Sequence, residues 1–205
     1  MKITLLKKFY REDLPKIFKK NNLIGVELGV ADGSFSKELI DSKKFKSLFG
    51  VDSYSLKQHN KHEYKFALKN VGIFANYKLL NMTFDDALSL FPNKSLDFIY
   101  FDGYAHTGQD YGRTIIKWSK KIKDNGILAG DDYDDKWELN QQIINQFAKD
   151  NNFNITLTDV NKKKHIYSSW IIQVDKKIKN KNIKYSKILK YKELLKSFKL
   201  YTPNF

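Results

Sequence analysis

Five acids in this chain stand at or beside the ends of short apolar runs. Asp102 follows Leu96-Asp97-Phe98-Ile99-Tyr100-Phe101, and Asp131 and Asp132 follow Gly126-Ile127-Leu128-Ala129-Gly130; Glu27 lies within Ile24 to Leu28, and Asp52 follows Leu48 to Val51. Runs of this kind are expected of parallel strands buried on both faces. In a doubly wound sheet the carboxyl ends of such strands share one edge, at the crevice where ligands bind. Three aspartates gathered there repel one another unless a cation joins them. A hard divalent ion with oxygen ligands answers that need, and Mg²⁺ held by carboxylates, waters and substrate oxygens suits it best. Asp102, Asp131 and Asp132 are therefore the expected metal ligands. Asp97 falls at the strand entrance, on the opposite edge, and is left out. The bland role for adjacent acids here, capping the helix that starts near Lys136, suits Asp134 and Asp135 better.

His106 lies in Asp102-Gly103-Tyr104-Ala105-His106-Thr107-Gly108, just past a strand end. A histidine there can serve as a general base, since its ordinary pKa lies near neutrality; helix capping or support of a metal ligand are the other roles open to it. His59, His62 and His165 sit in polar segments and read as surface residues. Tyr104, Tyr133 and Trp137 are candidate walls of a substrate pocket, although aromatic residues are also common packing groups.

The remaining acids sit in a loop with a chemistry of its own. Glu27-Leu28-Gly29-Val30-Ala31-Asp32-Gly33-Ser34 leads from a strand into a helix, with Gly29 and Gly33 permitting a tight turn and close approach of a ligand. A dinucleotide loop would read G-x-G-x-x-G and seat a pyrophosphate on the helix N-terminus. This loop has two glycines, and a carboxylate at Glu27 would repel a pyrophosphate while suiting an ammonium group. S-adenosylmethionine carries an amino-acid end and a cationic sulfonium. Asp52 ends the following strand, about 20 residues on, where an acid hydrogen-bonds ribose hydroxyls. The expected cofactor contacts are thus Glu27, Gly29, Ala31, Asp32, Gly33, Ser34 (also a helix cap) and Asp52.

These residues need a particular scaffold. Strands at 24–28, 47–51, 77–80, 96–101 and 126–130 alternate with helices at 34–42, 61–75, 84–91, 108–122 and 136–150, after a short leading helix at 13–20. That alternation predicts a parallel sheet with right-handed crossovers. Strands at 153–158 and 166–174 then form an antiparallel hairpin joined by a lysine-rich link. The fold class is α/β: a Rossmann-like, doubly wound sheet of seven strands, mostly parallel, with helices on both faces. One domain, residues 1–175, carries it, followed by a basic helical extension over 176–205 with apolar residues at helical spacing from Ile183 to Phe198.

Composition bounds the rest. The 205 residues are 41% hydrophobic and 15% aromatic, enough for a substantial core. The formal charge of +14 is uneven: residues 161–205 hold 13 Lys against 2 acids. A lysine-rich end can steer nucleic acid, but arginine, the preferred reader of phosphate, is confined to Arg11 and Arg113, which disfavours a nucleic-acid partner. The chain has no cysteine, which excludes disulfides and thiolate chemistry. No apolar run spans a bilayer and the N-terminal stretch is too short for a signal peptide, so a cytoplasmic enzyme is expected, free or as a homo-oligomer.

Gly25 to Ser36, Val51-Asp52, Phe98 to Trp118 and Gly126 to Trp137 resemble class I S-adenosylmethionine-dependent methyltransferases. Phe101-Asp102-Gly103-Tyr104-Ala105-His106 and Ala129-Gly130-Asp131-Asp132-Tyr133 are similar to the small bacterial group related to macrocin O-methyltransferase and the cephalosporin-biosynthesis methyltransferases. The resemblance spans about residues 24–140. It implies that Glu27 to Gly33 cradle the methionine end, that Asp52 and Ser53 meet the ribose, and that Asn81, Met82 and Thr83 flank the adenine. It also implies that Asp102, beside the cofactor, joins Asp131 and Asp132 as metal ligands. A catalytic lysine of the catechol-type relatives is replaced by Ala105, which shifts proton transfer to His106 or the metal, and Ala31 replaces a frequent middle glycine. The expected reaction is methyl transfer to a hydroxyl of a small molecule, a sugar or natural product. A nucleic-acid methyltransferase and a non-catalytic S-adenosylmethionine-binding module are the alternatives; a nicotinamide oxidoreductase is disfavoured by the loop.

Overall fold

The computed structural model describes residues 1–55, 59–161, 163 and 165–179. Its centre is one eight-stranded sheet of order β1-β7-β8-β6-β5-β2-β3-β4. The strands are β1 (Ile3–Leu6), β2 (Leu23–Leu28), β3 (Phe45–Asp52), β4 (Tyr77–Asn81), β5 (Leu96–Phe101), β6 (Ile122–Tyr133), β7 (Ile155–Thr158) and β8 (Ser168–Gln173). All neighbours pair parallel except β8, which runs antiparallel to both β6 and β7. The chain steps from β2 to β3 on one side, while β5 flanks β2 on the other. That reversal opens a crevice at the carboxyl ends of β2 and β5.

Both faces of the sheet are covered, which is why its central strands read as unbroken apolar runs. Along β5, Phe98 and Tyr100 point into one core with Leu14, Phe35 and Leu39, whereas Ile99 and Phe101 point into another with Trp118, Ile143 and Trp170. Helices α1 (Ser34–Asp41) and α2 (Lys61–Val71) cover the first face; α3 (Phe84–Ala87), α4 (Arg113–Trp118) and α5 (Glu138–Asn151) cover the second.

Four expectations are corrected. An eighth strand, β1, adds to β7 in parallel. The leading helix is a 3-10 turn, Arg11–Ile17, with Pro15 inside it and the Tyr10 amide donating to Asp13 at 2.9 Å. The helix expected over 108–122 is shorter: Gly108 to Gly112 run left-handed, with φ between 51° and 81°, and β6 claims residues from Ile122 onward. Ser34 opens α1 rather than capping it. The cap position is Gly33, at φ 81°, and Ser34 instead donates its hydroxyl to Asp32 at 2.8 Å. The extension over 180–205 lies outside the described residues.

Candidate active site

The crevice is a cavity of about 410 Å³ whose walls come from the loops following β2, β3, β4, β5 and β6. Gly29, Ala31, Asp52, Ser53, Thr83, Phe84, Asp102, Gly103, Tyr104, His106, Asp132 and Trp137 line it. Most of the residues singled out from sequence therefore meet in one place.

The loop after β2 is shaped by close contact. At Gly29, φ is 95°, and a Cβ would lie 2.2 Å from the Asp102 carbonyl oxygen, so glycine alone lets the β2 and β5 ends approach. Asp52 ties this loop to the next. One carboxylate oxygen accepts the Val30 and Ala31 amides at 3.0 and 3.2 Å, and the other accepts the Tyr54 amide at 3.0 Å. A carboxylate has about four lone-pair sites, so Asp52 retains capacity for a ligand hydroxyl.

Other residues are turned elsewhere. Glu27 is 1% exposed and accepts the Ser36 hydroxyl, which in turn meets the Tyr77 hydroxyl at 2.8 Å. Burial, more than any other influence, pushes its carboxyl up to about 8, so it is mostly neutral near pH 7. The expected contact between Glu27 and a ligand ammonium is thus corrected: it braces α1 from below. Asp32 and Ser34 line a neighbouring depression. Met82 packs against the core, and Tyr133 is buried with its hydroxyl on Asn145 at 2.7 Å.

The largest correction concerns the three aspartates. Asp131 is 3% exposed and belongs to a network behind the crevice, whereas Asp132 lines the crevice. Neighbouring residues of a strand face opposite sides. The β6–β8 register also shifts between Gly130 and Tyr133, with Asp132 left-handed at φ 58°. The cation between Asp102 and Asp131 is Arg11, whose guanidinium reaches Asp102 at 2.7 Å and Asp131 at 3.2 Å. His165 Nε2 lies 2.8 Å from the other oxygen of Asp131, which the Ser169 hydroxyl also approaches at 3.3 Å. His165 Nδ1 faces Arg11 at 3.4 Å. Among the described residues, no group of three His, Cys, Asp or Glu side chains is placed to hold a metal. A divalent ion about 4 Å from the guanidinium would meet a repulsion of roughly 8 kcal/mol at an effective dielectric of about 20. The residues do not fit Mg²⁺.

Arg11 and His165 are the site residues that sequence reasoning missed. Arg11 precedes the first glycine loop and His165 sits in a lysine-rich link; the one available signal was that Arg11 is one of two arginines among so many lysines. Phe84, which also lines the crevice, was equally unmarked, and the surface reading is corrected for His59, which borders the crevice, and for His165, which meets Asp131.

Burial and like charges raise the crevice acids. Asp102 is pushed up to about 6, by burial first, with Arg11 opposing. Asp132 is pushed up to about 7, by burial and then by Asp131 and Asp102. His106 moves the other way: burial lowers it, favouring the neutral ring that can accept a proton.

A mostly parallel sheet reversing at β2, a glycine turn bordering the cavity and an acid ending the second strand of the unit define a Rossmann-like, nucleotide-cofactor type of fold. Residues 24–133 match the family described as "Methyltransferase domain", more than half of the chain, and the chain belongs to that family. It is 26% identical over 132 residues to "Uncharacterized protein R132" of Acanthamoeba polyphaga mimivirus, a match covering 62% of this chain and 59% of that protein's length. Similar folds include a precorrin-6y C5,15-methyltransferase from Geobacter metallireducens (TM-score 0.58, 15% identity, 82% of this chain and 92% of that one). An rRNA methylase from Streptococcus thermophilus is similar to the same degree (TM-score 0.58, 15% identity, 81% and 94%).

Proposed function

We propose that this chain transfers the methyl group of S-adenosylmethionine to a hydroxyl of a small molecule, of the sugar or natural-product type handled by the macrocin O-methyltransferase and cephalosporin-biosynthesis groups. The setting is cytoplasmic. The observation that carries the reading is one cavity bordered both by the turn residues Gly29 and Ala31 with the carboxylate of Asp52 and by His106, Tyr104 and Trp137.

The residues present fit the cofactor. Asp52 and Ser53 would hold the ribose hydroxyls, Thr83 and Phe84 would border the base, and the bare backbone at Gly29 and Gly103 would let the amino-acid arm lie close. When bound, S-adenosylmethionine supplies a methyl group activated by its sulfonium. The protein's task is then to position a hydroxyl and remove its proton. His106 is half-buried, kept neutral by that burial, and borders the same cavity. It accepts the acceptor's proton, a contribution of about 10²–10⁴ in rate. Tyr104, whose ring centre is 4.9 Å from that of Phe84, and Trp137 wall the acceptor and exclude water. Holding acceptor and donor in register contributes up to roughly 7–11 kcal/mol of the barrier reduction.

Purified protein incubated with methyl-labelled S-adenosylmethionine and a panel of hydroxylated sugars, natural products and RNA tests this directly. Label is expected on a small-molecule hydroxyl. His106→Ala is expected to lower kcat about 10²–10⁴-fold with cofactor affinity near wild type. In the wild type, kcat/KM should rise with pH through a pKa below that of free histidine. Label found on RNA instead would favour the nucleic-acid alternative, and cofactor binding without transfer to any acceptor the non-catalytic one.

A further inference from the structure

We infer that Arg11 is the resident cation of this site: its guanidinium holds the place between Asp102 and Asp131 that the strand-end acids reserve for a divalent ion. The inference deepens the reading of this crevice as a methyl-transfer site, and it makes Arg11 a positioning residue that acts through Asp102.

The geometry is that of a fork rather than a point charge. Nη2 meets Asp102 at 2.7 Å and Nη1 meets Asp131 at 3.2 Å, so each carboxylate takes a separate prong. Both oxygens of Asp131 are engaged, one by Arg11 and the other by His165 and Ser169. Asp132, which would complete a metal site, is rotated into the crevice by its left-handed backbone, while Asp131 stays behind it.

The guanidinium is held independently of those acids. It lies over the Phe35 ring, 4.2 Å from its centre, and 5.5 Å from that of Tyr100. Its backbone belongs to the 3-10 turn that follows β1, and β1 is fixed to the sheet by its pairing with β7. An N-terminal segment thus reaches across the sheet edge to neutralise acids that the parallel β5–β6 pair brings together. The consequence is that Asp102, bordering the cavity, is oriented by an internal charge and does not await an imported one.

Mn²⁺ titration of the full chain, followed by electron paramagnetic resonance, tests this without reference to turnover. Wild type is expected to leave the free-ion signal unchanged, and Arg11→Lys, which keeps the charge, to behave alike. Arg11→Ala is expected to take up one Mn²⁺ per chain at least tenfold more tightly than wild type, and Arg11→Ala with Asp131→Asn to lose that uptake. One Mn²⁺ bound by wild type and lost in Asp131→Asn would overturn the inference, as would a folded Arg11→Ala that gains no site. Should Arg11→Ala fail to fold, wild type and Asp131→Asn decide the matter alone. S-adenosylmethionine binding by the same preparations is read separately. Its failure would count against the proposed activity, while Mn²⁺ uptake by wild type would count against Arg11.

Discussion

At Glu27 a carboxyl group has been taken out of water and given a serine hydroxyl in exchange. Its pKa in the fold, about 8 against an ordinary 4.5, is raised chiefly by burial. A group raised on folding adds stability that is complete below about pH 4.5 and is lost as the pH climbs through about 8. Glu27→Gln keeps the shape and removes the titration. Thermal unfolding measured from pH 5 to pH 9 should therefore show wild type losing stability relative to the variant, by on the order of a few kcal/mol across the range. A parallel pH dependence in both proteins would contradict this. At Gly29 the constraint is steric: Gly29→Ala places a methyl against the Asp102 carbonyl in a left-handed conformation. The strain of roughly 1–3 kcal/mol should appear as a lower Tm together with weakened cofactor binding. The sequence marks both residues as belonging to the β2 end, but not where the Glu27 side chain points. Glu27 turns beneath α1, and Asp131 and Asp132 part company at a register shift that no local pattern announces.

Elements were legible where burial is two-sided. β2, β3, β5 and the centre of β6 read correctly because helices cover both faces and leave only apolar side chains between them. β1 escaped notice because its side chains are mostly exposed and it pairs along one edge only. The first part of the predicted helix after β5 failed for a different reason. Glycines at 108 and 112 bracket a left-handed stretch, and Gln109 is drawn into the protein, donating to Asn140 at 3.3 Å. β1 matters beyond its size, because it anchors the turn that carries Arg11. Its removal sacrifices little apolar burial but opens the β7 edge, where the Ile155 amide donates to the Lys2 carbonyl at 2.9 Å. Deleting residues 1–8 should cost about 2 kcal/mol, lowering Tm by roughly 4–8 °C. Hydrogen exchange at Ile155 should accelerate. An unchanged exchange rate there would show that β1 does not protect the sheet.

For the molecule as a whole, charge and chemistry are separated along the chain. Residues 1–160 form the crevice and every strand of the sheet but β8, with 24 basic against 21 acidic residues, while the lysine excess gathers after them. Among the described residues, no helix is long and apolar enough to cross a membrane. The parallel pairing of the strands and the placing of the glycine loop at their carboxyl ends follow from β-α alternation, and so were readable in advance. The charge balance of the site was not, because its cation comes from an N-terminal turn and one of its histidines from the β7–β8 link. Everything in the proposed activity depends on the cavity at the β2 and β5 ends being an S-adenosylmethionine site. Isothermal titration with S-adenosylmethionine and with NAD tests this most directly. One equivalent of S-adenosylmethionine should bind, with Gly29→Ala and Asp52→Ala each weakening it at least tenfold and NAD giving no saturable heat. Preferential binding of NAD, or S-adenosylmethionine affinity untouched by both substitutions, would contradict the account.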